Sequence, residues 1–378
     1  MGNGPPGMGE NQDDTKPGSQ MHYAVIMAGG IGTRFWPMST PRRPKQLLKL
    51  FRDKTMIELT LDRITPLIPL ERQRIVTVAE QIPLFKEALP QLTDNNFIVE
   101  PFGRNTAPCI GLAALHLQEE DPEAVMVVLP ADHLIQDEEG FRKCLQTGID
   151  AVESKDAIVT LGIQPRRPET GYGYIQFEAD EVQDGLHRVV TFAEKPNEAT
   201  AKRFIESGEF LWNSGIYIWS ARRILSEIED FLPELYVALD NIQLCIGKED
   251  ERYQTFSAYN SIKPISIDYG VMERTQNAYV VRGVFDWSDV GNWGEVWRLS
   301  QKDEKKNATH GKVLAIDSSS SYIYTDRERP VAVVGLDHVV VVSTADGLLV
   351  CPLEDVQKVR EAAEESFRLW GNNDEKKA

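Results

Sequence analysis

Met27-Ala-Gly-Gly-Ile-Gly-Thr-Arg34-Phe-Trp-Pro-Met-Ser39, continued by Thr40-Pro-Arg-Arg-Pro-Lys45, is the stretch on which the fold of this chain turns. The apolar run before it, Tyr23 to Met27, predicts a buried strand that empties into a glycine-rich turn. Gly29, Gly30 and Gly32 carry no Cβ, so backbone N–H groups from Ala28 to Thr33 can crowd around one anion. Arg34 and Lys45 bracket the turn with positive charge. A strand, a glycine turn and flanking cations together predict a site for a polyphosphate. Neither common phosphate loop fits. No Gly-x-x-x-x-Gly-Lys-Ser/Thr string occurs, and the third glycine of a dinucleotide fingerprint counted from Gly30 and Gly32 falls on Phe35. Taken alone, the loop also reads as a glycine turn whose charges face solvent.

Bulk properties narrow the classes. A chain of 378 residues suits two domains, or one large domain with an appendage. With 42% apolar and 26% charged residues a sizeable core can form. A formal net charge of −17 argues against a nucleic-acid partner. Against that background Arg34 to Lys54 is locally basic, with Arg42, Arg43, Lys49 and Arg52 opposed by Asp53 alone, and would draw a small anion. Cys109, Cys144, Cys245 and Cys351 stand singly, as small buried apolar residues rather than zinc ligands or disulfides, which suits a reducing cytoplasm. No apolar run is long enough to cross a bilayer. Residues 1–20, rich in Gly, Pro, Asn and Asp, read as a disordered tail without the layout of a signal peptide.

From Met21 to Ile163 short apolar runs (Ala24–Met27, Ile75–Val78, Phe97–Val99, Val125–Leu129, Ile158–Ile163) alternate with amphipathic stretches such as Met56 to Ile64 and Ala107 to Leu117. That alternation predicts an α/β fold with a doubly wound, mostly parallel sheet, whose ligands bind beyond the carboxyl ends of the strands. The catalytic unit is expected over 21–301, with a charged linker at Lys302–Asn307. Over 308–378 the runs Lys312–Asp317, Tyr322–Thr325, Val331–Val334, Val339–Ser343 and Leu348–Cys351 predict a small β domain. A terminal helix closes it, with Val356, Val359, Ala363, Phe367 and Trp370 on one face. This appendage is expected to carry no chemistry.

Further strings support the first. Val127-Val-Leu-Pro-Ala-Asp132-His133 places a carboxylate at a strand end, and Trp287-Ser-Asp289-Val-Gly291-Asn-Trp293 supplies a second in a turn between indoles. Two carboxylates with substrate phosphates suit Mg²⁺, although Asp132 alone also reads as a helix cap. In Glu100-Pro-Phe-Gly-Arg-Asn-Thr-Ala-Pro108, Asn105 or Thr106 can cap the following helix, and the remaining polar groups can read a base edge. Thr170-Gly-Tyr-Gly173-Tyr, Ala193-Glu194-Lys195-Pro196 and Trp212-Asn213-Ser-Gly215-Ile-Tyr offer acceptors for sugar hydroxyls and a cation for a sugar phosphate. In isolation the last two also read as a solvated strand end and a packing aromatic beside a turn Asn.

The glycine loop followed by Pro44-Lys45 resembles the signature of sugar-1-phosphate nucleotidyltransferases. Glu100-Pro-x-Gly-Arg-Asn-Thr-Ala-Pro, Leu129-Pro-Ala-Asp-His133 and Asn213-Ser-Gly-Ile, in this order, resemble the mannose-1-phosphate guanylyltransferases in their shorter bacterial form. The resemblance runs from about Met21 to the C-terminal helix. Within it Gly335 to Pro352 resembles a left-handed β-helix appendage that in relatives helps form dimers, and no fused isomerase domain fits after Asp355. The resemblance implies a Rossmann-like nucleotidyltransferase that joins GTP and mannose 1-phosphate into GDP-mannose and pyrophosphate with Mg²⁺, as a homodimer. By the same resemblance Ala28, Gly29, Gly30, Gly32, Thr33 and Arg34 hold the triphosphate, and Lys45 the leaving pyrophosphate or the developing charge. Asp132 and Asp289 hold the metal. Pro101, Gly103, Asn105 and Thr106 lie near guanine, Lys195 meets the sugar phosphate, and Gly173, Glu194 and Asn213 hold the mannosyl hydroxyls. A nucleotidyltransferase for another sugar or base, and a silent GDP-mannose-sensing subunit, remain as alternatives.

Overall fold

Alternation along His22–Met27 (β1) sends Tyr23 and Val25 to one face and Ala24 and Ile26 to the other, and all four are buried. A strand covered on both faces belongs in the middle of a sheet. In the computed structural model, which describes residues 21–370 apart from 184 and 327, β1 pairs in parallel with Gln73–Val78 (β2) and Val125–Pro130 (β4). The expected tail, 1–20, lies outside the described residues. Phe97–Glu100 (β3) extends the parallel run beyond β2.

Beyond β4 the direction changes. Phe210–Ser220 (β9) lies antiparallel between β4 and Ile158–Ile163 (β6), which pairs in parallel with Ala278–Gly283 (β10). Leu186–Ala193 (β8) is antiparallel to β10, and Tyr174–Gln183 (β7) pairs with both β8 and β9. The order is β3-β2-β1-β4-β9-β6-β10-β8-β7. Only β8 and β9 run against the rest, so the sheet is mostly parallel. A separate short pair, Leu134–Ile135 (β5) and Trp287–Ser288 (β11), sits beyond the sheet.

Helices cover both faces. Met56–Ile64 (α1), Ile82–Ala88 (α2), Glu138–Lys155 (α4) and Glu198–Ser207 (α5) pack on the Ala24 side. Thr106–Glu120 (α3), Ala221–Phe231 (α6), Pro233–Gln243 (α7) and Glu251–Ser261 (α8) pack on the other. Local sequence sets their starts. Thr55 accepts from the Glu58 amide while the Glu58 carboxylate accepts from the Thr55 amide at 2.6 Å, a reciprocal cap that opens α1.

After Trp293–Leu299 (α9), the strands Ala308–His310 (β12), Val313–Ile316 (β13), Tyr322–Thr325 (β14), Val331–Val334 (β15) and Val339–Ser343 (β16) wind into a β-helix. β12, β14 and β16 pair in parallel, as do β13 and β15, and equivalent turn residues such as Ser321 and Val339 bond at a spacing of 18. Leu348–Pro352 (β17) folds back antiparallel on β16, and the helix Val359–Trp370 (α10) ends the described chain. Ile323, Val333 and Val341 fill the inside. A third cluster joins this unit to the glycine turn. Phe35 meets Trp293 edge-on at 5.2 Å, Trp293 stacks on Tyr322 at 5.4 Å, and Val340, Val356 and Val359 close around them.

Two expectations need correction. The apolar stripe of the last helix is shorter than its period suggests: Val356 sits in the turn before α10, and Trp370 is 65% exposed among the described residues. All four cysteines are free, but only Cys109 and Cys144 are buried, Cys245 and Cys351 lying on elements with one wet side. Among the described residues no helix is long and apolar enough to cross a membrane.

Candidate active site

The turn after β1 is built around Lys45. Gly32 has φ +76°, and a Cβ there would lie 2.3 Å from the Lys45 Cβ, so only glycine lets Lys45 lie against the loop. The Lys45 amide donates to the Ile31 carbonyl at 2.9 Å, and Ser39 Oγ donates to the Gly32 carbonyl at 2.6 Å. Deeper in, Gln46 donates to the Ala28 carbonyl at 2.6 Å and Thr77 at 3.2 Å, fixing the start of the turn. Lys45 is buried over the Phe35 ring, and its Nζ reaches Asp132 Oδ2 at 2.7 Å and the Asp289 carbonyl at 2.8 Å. Arg34 stands exposed at the rim.

The two carboxylates meet because β5, just after Asp132, pairs with β11, just before Asp289. Burial works against the Asp132 charge, but Lys45 and its hydrogen bond hold that carboxyl below its ordinary range. Asp289 goes the other way. Burial pushes its carboxyl up and the Asp132 charge adds to this, against the hydrogen bond that Tyr172 Oη donates to Asp289 Oδ1 at 2.6 Å. Val290, next in the chain, has φ +46°, a costly conformation for a β-branched residue and one often found at functional sites. Burial lowers His133 to about 4, so it is neutral near pH 7, and the Trp287 indole donates to its Nδ1 at 3.2 Å.

The carboxylate pair fits a hard divalent cation. Two oxygen donors, one of them pushed up by burial and by its neighbour's negative charge, face one cavity. No cluster of three His, Cys, Asp or Glu side chains able to hold a metal occurs among the described residues, so the other ligands would be phosphate and water oxygens.

Three connected hollows lie beyond the strand ends. The first, about 490 Å³, is walled by Ala28, Gly29, Gly30, Gly103, Asn105 and Thr106, with Glu100 and Cys109 behind. Asn105, at φ +73°, accepts from the Thr106 amide at 2.9 Å, while Thr106 Oγ1 accepts from the Ile267 amide at 2.8 Å. Asn105 caps the helix locally, Thr106 ties it to the distant Ile267 turn, and both face the cavity as well. Burial pushes the Glu100 carboxyl up to about 7, moderated by hydrogen bonds from the Tyr259 hydroxyl at 3.2 Å and from Cys109.

The second hollow, about 310 Å³, holds Thr33, Arg34, Lys45, Asp132 and Asp289, with Gly32, Lys45 and Asp132 shared with the first. The third, about 200 Å³, contains Gly173, Glu194, Asn213 and Asp289. Its geometry follows from strand pairing: Tyr174 pairs with both Ala193 and Trp212, so the chain neighbours Gly173, Glu194 and Asn213 come together. A Cβ on Gly173 would lie 2.4 Å from Glu194 Oε2, a buried oxygen without a hydrogen-bond partner among the described residues. Asn213 donates to Asp268 Oδ1 at 2.9 Å, and the Tyr217 hydroxyl makes a short bond to the same oxygen.

Of the residues singled out in the sequence, Pro101 and Lys195 do not wall these hollows. Pro101 turns the chain at the end of β3. Lys195, at φ +47°, pairs through Nζ with Glu194 Oε1 at 2.8 Å, one step back from the cavity. Glu100, Tyr172, His133 and Asp268 belong to the site without having been singled out. The first three lie inside the quoted strings, so a signal existed; Asp268 stands on a single wide turn, Asp268–Met272, with none.

Sheet and cleft together are those of a nucleotidyltransferase. The nucleotidyl transferase family model matches residues 23–306, and that of the MannoseP isomerase/GMP-like beta-helix domain residues 311–365. The mannose-1-phosphate guanylyltransferase of Salmonella muenchen is 37% identical over 372 residues, covering 92% of this chain and 76% of that protein. The alginate biosynthesis protein AlgA of Pseudomonas aeruginosa is 35% identical over 375 residues, 93% of this chain and 76% of that one. A Thermus thermophilus crystal structure, named as a mannose-1-phosphate geranyltransferase, aligns with a TM-score of 0.82 at 36% identity, over 92% of this chain and 99% of its own. The chain belongs to the mannose-1-phosphate guanylyltransferases of the nucleotidyltransferase family.

Proposed function

We propose that the protein transfers GMP from GTP to α-D-mannose 1-phosphate, giving GDP-mannose and pyrophosphate with Mg²⁺ as the divalent ion. The observation that carries this reading is the meeting of a base-sized, a charge-lined and a sugar-sized hollow around Lys45, Asp132 and Asp289.

The sugar phosphate attacks the α-phosphorus of GTP in line, and pyrophosphate leaves. A phosphomonoester has a second pKa of about 6, so the attacking oxygen is ionised near pH 7 and needs no general base. Catalysis then rests on alignment and on neutralising charge. Gly29, Gly30, Gly32 and Thr33 offer amides to the phosphates, Arg34 binds the outer ones, and Lys45 stabilises charge moving onto the leaving group. Asp132 and Asp289 would hold Mg²⁺, which would supply charge neutralisation for the phosphates. Glu194, Asn213 and Gly173 receive the mannosyl hydroxyls. Lys195, held by Glu194, reaches the sugar phosphate.

Guanine is favoured over other bases by Glu100. The guanine edge carries an N1–H and an amino group, both donors, and a carboxylate deep in the base hollow is their natural acceptor. Pro101, Gly103, Asn105 and Thr106 shape the walls around that edge. Residues 21–301 form the catalytic unit and 308–378 the appendage. Leu314, Ile316, Val334, Leu348 and Val350 leave an exposed apolar row on its strands, which supports a homodimer. The substrates are those of the cytoplasm. Pyrophosphate release from each nucleoside triphosphate, paired with a panel of sugar 1-phosphates, tests the reading. GTP with mannose 1-phosphate is expected to dominate, and activity confined to another pair would refute it.

A further inference from the structure

The appendage does not stand clear of the catalytic cleft. Val359 and Ala363 of α10 are buried, and Val359 shares an apolar cluster with Phe35 of the phosphate turn. The residue after Val359 is thereby brought to the wall of the 310 Å³ hollow. It is Arg360, which lines that hollow with Arg34 and Lys45.

The charge in this hollow calls for another cation. Lys45 is already bonded to Asp132 and to the Asp289 carbonyl, so its charge is largely answered within the protein. With two carboxylates present, Arg34 alone would face the outer phosphates. Arg360 is committed only lightly. Its Nε donates to Glu364 Oε1 at 2.7 Å, one helical turn on, and its Nη groups make no hydrogen bond to a described residue. Both partners are more than half exposed, at 61% and 55%, and a surface pair of this kind holds weakly. A planar guanidinium whose two Nη groups are free matches phosphate oxygens in a way that an ammonium does not.

We propose that Arg360 is a further binding residue of the triphosphate site, supplied by the C-terminal helix. Its guanidinium leaves Glu364, or shares with it, to bind the β/γ-phosphate oxygens of the bound nucleotide. The appendage thus completes the nucleotide site as well as extending the fold. This rests on the reading of the cleft as a nucleoside triphosphate site.

The test uses the full chain. Arg360→Ala is expected to raise the KM for GTP roughly three- to tenfold, as loss of one partly exposed charged contact implies. The KM for mannose 1-phosphate and the melting temperature stay unchanged, and Arg360→Lys recovers part of the loss. Glu364→Ala, which removes the acceptor and frees the guanidinium, lowers the KM for GTP. Direct titration separates this role from a structural one: Arg360→Ala weakens GTP but not GMP, which lacks the outer phosphates. An unchanged KM for GTP, or equal weakening of GTP and GMP, overturns the assignment. A wild-type protein that releases no pyrophosphate from GTP would defeat the parent reading, while the GTP-against-GMP comparison would still decide the role of Arg360.

Discussion

Replacing Gly32 by alanine tests whether the glycine loop acts by placing Lys45. The added Cβ would lie 2.3 Å from Lys45 Cβ, 3.3 Å from Cγ and 3.4 Å from Cα. Carbon atoms rest at about 3.5 Å or more, so relief requires a displacement of about 1 Å between the loop and Lys45. The left-handed conformation at φ +76° adds about 1 kcal/mol for any residue with a side chain. In a chain of this size that penalty lowers the melting temperature by only about 1–2 °C. Function is more sensitive. Lys45 Nζ holds both Asp132 and the Asp289 carbonyl at 2.7 and 2.8 Å, and a shift of about 1 Å at such a point typically costs about a hundredfold in rate. Pyrophosphate release at saturating mannose 1-phosphate should therefore show kcat/KM for GTP down about a hundredfold, with the KM for the sugar phosphate little changed, because the third hollow does not touch Gly32. A folded Gly32→Ala protein within about threefold of wild type would refute the claim that this glycine exists to seat Lys45.

Other outcomes follow from the same geometry. Asp289→Ala should reduce turnover by about two to three orders of magnitude while leaving the melting temperature nearly unchanged, since burial and the Asp132 charge already disfavour that carboxylate; near-normal rates at modest Mg²⁺ would remove it from the metal site. Glu100→Gln should narrow the preference for GTP over ITP, which lacks the amino group, and flatten the pH dependence of GTP binding, which in the wild type strengthens as the carboxyl ionises through about 7. Because Glu100 is raised above its ordinary value, its contribution to folding is fully present below about 4.5 and lost as pH climbs through about 7, so urea midpoints of wild type should fall across that window relative to the Gln variant. Lys195→Ala should raise the KM for mannose 1-phosphate severalfold with the KM for GTP held; an unchanged sugar-phosphate KM would make Lys195 merely the partner of Glu194.

The parallel half of the sheet was legible because its strands are buried on both faces and read as continuous apolar runs. Ile158–Ile163 and α1 fall on their expected residues, since each is bounded by turn or cap chemistry that local sequence carries. What could not be read was direction. β9 is as apolar as a parallel strand, and nothing in Phe210–Ser220 says that it runs against β4 and β6. Antiparallel insertion depends on which partners the chain finds, a long-range outcome without a local pattern. The terminal helix failed for a related reason. Period 3.6 marks Trp370 as one more apolar position, but burial also needs a facing surface, and the described residues provide one only as far as Ala363 and Phe367.

The site divides along the same line. Residues whose role is backbone shape or charge near the chain's own turn, such as Gly32 and Lys45, announce themselves, because the loop that needs them is a single segment. Residues whose role is to correct another residue's chemistry do not. Tyr172 matters through a 2.6 Å bond to Asp289, across 117 positions, and Asp268 through bonds to Asn213 and Tyr217 from a turn with no motif. Burial alone would drive Asp289 toward its neutral form, useless to a cation; the Tyr172 hydroxyl and Lys45 oppose that drift, and the strained Val290 holds the turn that aims it. A carboxylate kept poised at some cost to the fold, in a lobe that also holds the phosphate turn, is a better argument for a metal-assisted transfer than either aspartate's place in a motif. Only the pairing of β5 with β11 makes two distant strings one site, and without that pairing neither aspartate would face the other.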